Sequence, residues 1–225
     1  MEDRKESATA VATGAAVVVS SAYLAIRYVR GKTIDLRLAV LGQEGVGKST
    51  LIARLMGDAP TAPPPGEKIR KDVKIQVDGR RYRVRRPVDH GGSEHDWGRW
   101  KETAQASGMV VYVISAEHLQ TEDQAAGIEG PTPHTRHRRV ADAEQLQLWI
   151  DPSPDKPVVL VVTHTDTDSR CDELGLHSYG AQLREQLTEI INLIGGDRTV
   201  SLVSGSLVDD GDATRIVHEI LMAWR

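Results

Sequence analysis

An α/β fold of alternating strands and helices is predicted by three features of this 225-residue chain. Apolar runs of strand length recur between amphipathic, helix-length segments, the βαβ manner of alternation. A glycine-rich stretch, Gly42 to Thr50, lies directly between one such run and the next helical segment. Val158-Val159-Leu160-Val161-Val162 is apolar at every position, as a strand covered on both faces must be.

Taken in order, the first strand is expected over about 35–41, followed by a helix over 49–56. Pro60, Pro63, Pro64 and Pro65 then forbid helix and predict an exposed loop over 57–66. Strands over 69–77 and 81–88 flank Asp78-Gly79, a dipeptide that favours the left-handed conformations of a tight hairpin. A helix near 94–107 precedes a strand at 108–115. Residues 117–139, rich in Gly, Pro, His and Arg, read as a polar insertion or loop. The remainder is expected as a helix over 140–150, a strand over 157–163, a helix within 179–194, a strand over 199–203 and a closing helix over 212–224.

Gly42-Gln43-Glu44-Gly45-Val46-Gly47-Lys48-Ser49-Thr50 fits G-x-x-x-x-G-K-[ST], a loop that wraps a phosphate in backbone N–H groups. Its glycines permit the tight turn, Lys48 brings a positive charge to the β/γ-phosphates, and Ser49 at the helix start is placed to ligate Mg²⁺. Asp89-His90-Gly91-Gly92, about forty residues on, fits D-x-x-G. Asp89 is the expected second support for Mg²⁺, and Gly92 can offer its N–H to a γ-phosphate. After the apolar strand comes Thr163-His164-Thr165-Asp166. A carboxylate there accepts from the N1–H and 2-amino group of guanine, a donor pair that adenine lacks. Ser204-Gly205-Ser206 ends the last strand, where its backbone can meet a base edge or simply form a capped turn.

These four stations resemble the small Ras-like GTPases, with Asp89 to Gly92 most similar to the ADP-ribosylation-factor branch and the signal recognition particle receptor β subunit. The resemblance covers about 35–225 and implies a six-stranded, mostly parallel sheet with helices on both faces. It also implies that GTP and GDP are the nucleotides, Mg²⁺ the metal, and effector and regulator proteins the partners. Three departures stand out. His164 replaces the family's lysine, Ser93 occupies the place where a water-orienting Gln is common, and Thr61, the one candidate for the switch threonine over Mg²⁺, lies farther from the Asp78-Gly79 hairpin than the pattern has it and reads better as a plain surface threonine. Slow hydrolysis follows as an expectation, with His95, Glu94 or a partner's group in trans as the substitute. A module that holds nucleotide without turning it over is the alternative, and an ATP-using kinase or ATPase the third, for which neither an adenine pocket nor an acceptor site is visible.

Other residues admit plainer readings. His134 and His137, near Arg136, Arg138 and Arg139, read as a solvated basic loop; Trp97 and Trp100 suit an effector surface or a core equally well. Asp168, paired with Asp166 as D-x-D, is discounted as a Mg²⁺ ligand. A formal charge of −4 with no Phe and only 4% aromatic residues argues against nucleic acid as partner. One cysteine, Cys171, excludes an intramolecular disulfide.

Residues 1–32 form a separate N-terminal segment, leaving 33–225 as one domain. Ser7 to Ile26 carries no charge and is closed by Arg27, Arg30 and Lys32, so it is expected as a single membrane-spanning anchor with the domain on the cytoplasmic side. An interfacial helix is the alternative. A cleaved signal fits less well, since Glu2, Asp3 and Glu6 precede the run.

Overall fold

The computed structural model describes residues 33–57, 71–119, 136–150, 155–195 and 200–224. The uncharged run over 7–26, Thr61, His134 and most of the 117–139 insertion lie outside them. Among the described residues no helix is long and apolar enough to cross a membrane.

Six strands form one sheet: β1 (Ile34–Gly42), β2 (Asp72–Val77), β3 (Arg80–Arg85), β4 (Met109–Ser115), β5 (Val158–Thr163) and β6 (Val200–Ser204). Their order is β2-β3-β1-β4-β5-β6, antiparallel only at the β2–β3 hairpin. Asp78 and Gly79 make that turn with φ of 45° and 78°, as the dipeptide required. Every residue of β4 and β5 is buried, because helices cover both faces of the sheet centre. β3 instead alternates, burying Tyr82 and Val84 and exposing Arg81, Arg83 and Arg85.

The helices are α1 (Lys48–Met56), α2 (Trp97–Ala106), α3 (Arg136–Ile150), α4 (Ser169–Gln186), α5 (Thr188–Ile194) and α6 (Asp210–Met222). α1 and α6 pack Leu51, Leu55, Ile216 and Ile220 on the face bearing Leu36, Val40, Val111 and Val161. α2, α3, α4 and α5 cover Leu41, Tyr112, Leu160 and Val162 on the other with Trp100, Leu146, Leu183 and Ile190. Two apolar layers therefore sandwich the sheet.

Several boundaries differ from the sequence expectation. β3 stops at Arg85, and 86–92 runs on without regular structure, so Asp89 lies in a loop and not at the strand end. Residues 116–119 are helical, and α3 begins at Arg136, inside the stretch read as an insertion, because Arg139, Asp142, Ala143 and Leu146 form a buried helical stripe. The expected helix within 179–194 is two helices starting ten residues earlier; Gly175, at φ 71°, breaks the first.

Candidate functional site

β1 ends at Gly42 and the chain turns through Gly45 and Gly47, at φ 77° and 86°, into α1. Gly47 is the N-cap, and no side chain caps the first turn of α1. The orphan N–H groups of that turn therefore face an anion's place with the helix dipole behind them. A Cβ on Gly47 would lie 3.3 Å from Leu207 and 3.8 Å from His164, so the loop is pressed against the β5 and β6 ends. Lys48 is 7% exposed and donates from Nζ to the Gln43 carbonyl at 2.6 Å, folding back over the loop. Burial lowers its pKa, opposed by the carboxylates of Asp89 and Glu44. An arriving phosphate would favour the charged ammonium. Val46 is buried, Thr50 half-buried on α1, and Glu44 exposed.

The Asp89 loop folds onto this turn. Ser49 Oγ donates to Asp89 Oδ2 at 2.5 Å across forty residues of sequence. Gly92 lies so close to the phosphate loop that a Cβ would stand 2.0 Å from the Glu44 amide nitrogen; any side chain there would displace one loop or the other. The loop is tied down behind that contact. Trp100 Nε1 donates to the Gly91 carbonyl at 2.9 Å, His90 Nε2 lies 2.7 Å from Thr103 Oγ1, and Arg138 reaches the Gly92 carbonyl at 3.4 Å. Ser93 and Asp96 close a capping box over the short helical turn Glu94–Asp96. His95 is exposed on that turn and makes no hydrogen bond among the described residues.

One organising residue escaped the sequence reading. Asp142 of α3 is wholly buried and accepts from Trp97 Nε1, Tyr112 OH and Arg138 Nε, each at 2.8 Å, and from Gln43 Nε2 at 3.4 Å. It joins the phosphate loop to α2, α3 and β4. The arginines of 136–139 are thus not a solvated loop: Arg138 is 13% exposed on its side chain, stacks 5.3 Å from the Trp97 ring, and Arg139 is buried. His137 is exposed on α3. Trp100 is fully buried and Trp97 packs against the same core, which makes both structural.

At the other end, Thr163 is buried and donates from Oγ1 to the Val46 carbonyl at 2.8 Å, binding the β5 end to the phosphate loop. His164 adopts φ 54°, with Nδ1 3.0 Å from Ser115 Oγ. Asp166 is exposed, without a hydrogen-bond partner among the described residues, and lines a cleft of about 720 Å³ with Thr165, Cys171 and Ser206. Gly205 N–H donates to the Val162 carbonyl at 3.0 Å and Ser206 N–H to Asp212 Oδ2 at 3.1 Å, while Arg215 holds the Ser204 carbonyl at 2.6 Å. Both amides offered to a base edge have internal acceptors here. Asp168, by contrast, is buried, caps α4, pairs with Arg170 and accepts from Tyr179 OH at 2.8 Å.

Ser49 and Asp89 offer two neighbouring oxygens, the ligand type a hard divalent cation takes. Among the described residues no group of three or more His, Cys, Asp or Glu able to hold a metal occurs. Comparison of the chain with protein-family models and with curated proteins finds no match.

Proposed function

We propose that this chain is a membrane-anchored, Ras-like GTP-binding switch that hydrolyses GTP slowly to GDP and phosphate. The observation that carries the reading is the 2.5 Å contact between Ser49 and Asp89, with Gly92 against the Glu44 backbone. Two loops forty residues apart meet there, which supports a shared site for a γ-phosphate and its metal. Ser49 and Asp89 would be the chain's own ligands to Mg²⁺, which would supply positive charge to the phosphates. Lys48 and the amides of the α1 N-terminus neutralise charge on the phosphates. In hydrolysis a water oxygen bonds to the γ-phosphorus, the bond to the bridging oxygen breaks, GDP departs with the electron pair, and the water protons pass to phosphate and solvent. Loss of γ-phosphate removes a partner of Gly92, and the loop over 89–96 changes what it presents to an effector. Asp166 selects guanine from the cleft at the β5 end, and the uncharged run over 7–26 holds the domain at a membrane.

A second reading, a nucleotide-holding module without turnover, is favoured by one feature. Ser93 is committed to Asp96 through both its amide and its hydroxyl, at 3.2 and 2.7 Å, so it does not present a group to orient water. Single-turnover phosphate release from GTP separates the two. Release above a Lys48→Ala control supports the switch, and release equal to that control leaves the holding module.

A further inference from the structure

Helices cover both sides of the sheet over β4 and β5, but one face of β2, β3 and the start of β1 is exposed. Register fixes what it carries. Arg83 stands opposite both Asp35 and Lys74, Arg85 opposite Arg37 and Asp72, and Arg81 opposite Gln76; with side chains alternating, all of these point to the same side. Arg37, Lys74, Arg81, Arg83 and Arg85 thus share one flat face with two carboxylates. Asp35 pairs with Arg85 at 2.7 Å and Asp72 with Arg83. Arg37 adds to the positive field on Asp35, and Lys74 is exposed. The face is a local positive field on a chain whose formal charge is −4.

We propose that this face rests on the anionic lipid headgroups of the membrane that holds the N-terminal segment. The chain enters the fold at Ile34, in register with Tyr82 of β3, so the margin of the basic face is where the preceding segment arrives. That segment is an uncharged run closed by Arg27, Arg30 and Lys32, and the sheet face extends the same sign of charge. No aromatic side chain lies among its exposed residues to stack a base, which separates it from a single-strand nucleic-acid platform. The inference rests on the membrane half of the proposed function and is independent of its nucleotide chemistry.

The full chain is sedimented with phosphatidylcholine vesicles and with the same vesicles containing phosphatidylglycerol. Wild type is expected to bind both and to prefer the anionic ones, more so at low salt. Each cation contributes about fivefold, so Arg37→Gln/Lys74→Gln/Arg81→Gln is expected to lose roughly a hundredfold on anionic vesicles and nothing on neutral ones. Gln76→Lys adds a cation to the same face and is expected to gain about fivefold. Anionic binding of Gln76→Lys within about twofold of wild type overturns the proposal even if the triple variant does not fold. So does a triple variant that loses retention on duplex DNA while its vesicle binding is unchanged. Wild type that binds neither vesicle overturns the membrane attachment itself, leaving nucleotide binding to be judged separately.

Discussion

Asp142 collects donors from four separate segments, and its carboxylate has no access to water. Its removal would leave the buried Tyr112 hydroxyl and the Trp97 indole N–H without their acceptor, while Arg138 keeps Glu94 and the Gly92 carbonyl. Leaving a buried donor unsatisfied costs about 1–3 kcal/mol, so Asp142→Ala is expected to lower unfolding stability by about 2 kcal/mol or more in a denaturant titration. A change below about 1 kcal/mol would mean that water or neighbouring side chains replace it. Nothing local marks this residue. Ala141-Asp142-Ala143-Glu144 looks like a solvated helix face, and the burial comes from Arg138 one turn earlier and Trp97 forty-five residues away. Two motif matches single out Ser49 and Asp89 in the sequence, and the fold brings the two side chains to 2.5 Å of each other. The sequence singles out Asp166, which the fold leaves exposed in a cleft, whereas the internal use of the Gly205 and Ser206 amides follows from Asp212 and the β5 terminus, which no motif records.

The loop over 89–96 and helix α2 behave as one element with a pH-sensitive fastening. His90 has a lowered pKa, chiefly because burial disfavours its charge and Arg99 repels it, with Asp96 and Asp89 opposing and Lys48 adding slightly to the repulsion. A depressed folded value means that the unfolded chain takes up the proton first, so this contribution is complete above the ordinary histidine range near 6.5 and is lost as pH falls through the folded value. Stability between pH 7.5 and 5.5 is accordingly expected to fall in wild type and to fall less in His90→Gln, read by denaturation at each pH; equal slopes would contradict the fastening. At this scale the sequence was a good guide where one rule governs an element. Asp-Gly made the hairpin and unbroken apolar runs made β4 and β5. It failed where tertiary packing overrode local character. Arg136 to Arg139 were read as loop because four basic or polar residues cannot reveal that Arg139 faces inward, and the start of α4 was hidden by Gly175 and by sparse apolar periodicity.

Among the described residues a single sheet presents both candidate loops at the C-terminal ends of its strands. β1 delivers the phosphate loop, β5 delivers Thr163 to Asp166, and the Thr163 hydroxyl on the Val46 carbonyl joins the two. In the proposed function that join lets one nucleotide reach both ends, while the basic face of β2 and β3 is the part proposed to rest on lipid. The central claim is that guanosine nucleotide spans the site from Lys48 to Asp166. Calorimetric titration of the full chain with GTP and with ATP, in Mg²⁺, tests it most directly. The account predicts a clear preference for GTP, a loss of about tenfold or more on Asp166→Ala from forfeited charge-assisted hydrogen bonds, and loss of both nucleotides on Lys48→Ala. Equal affinity for ATP and GTP, or GTP binding untouched by Asp166→Ala, would contradict it.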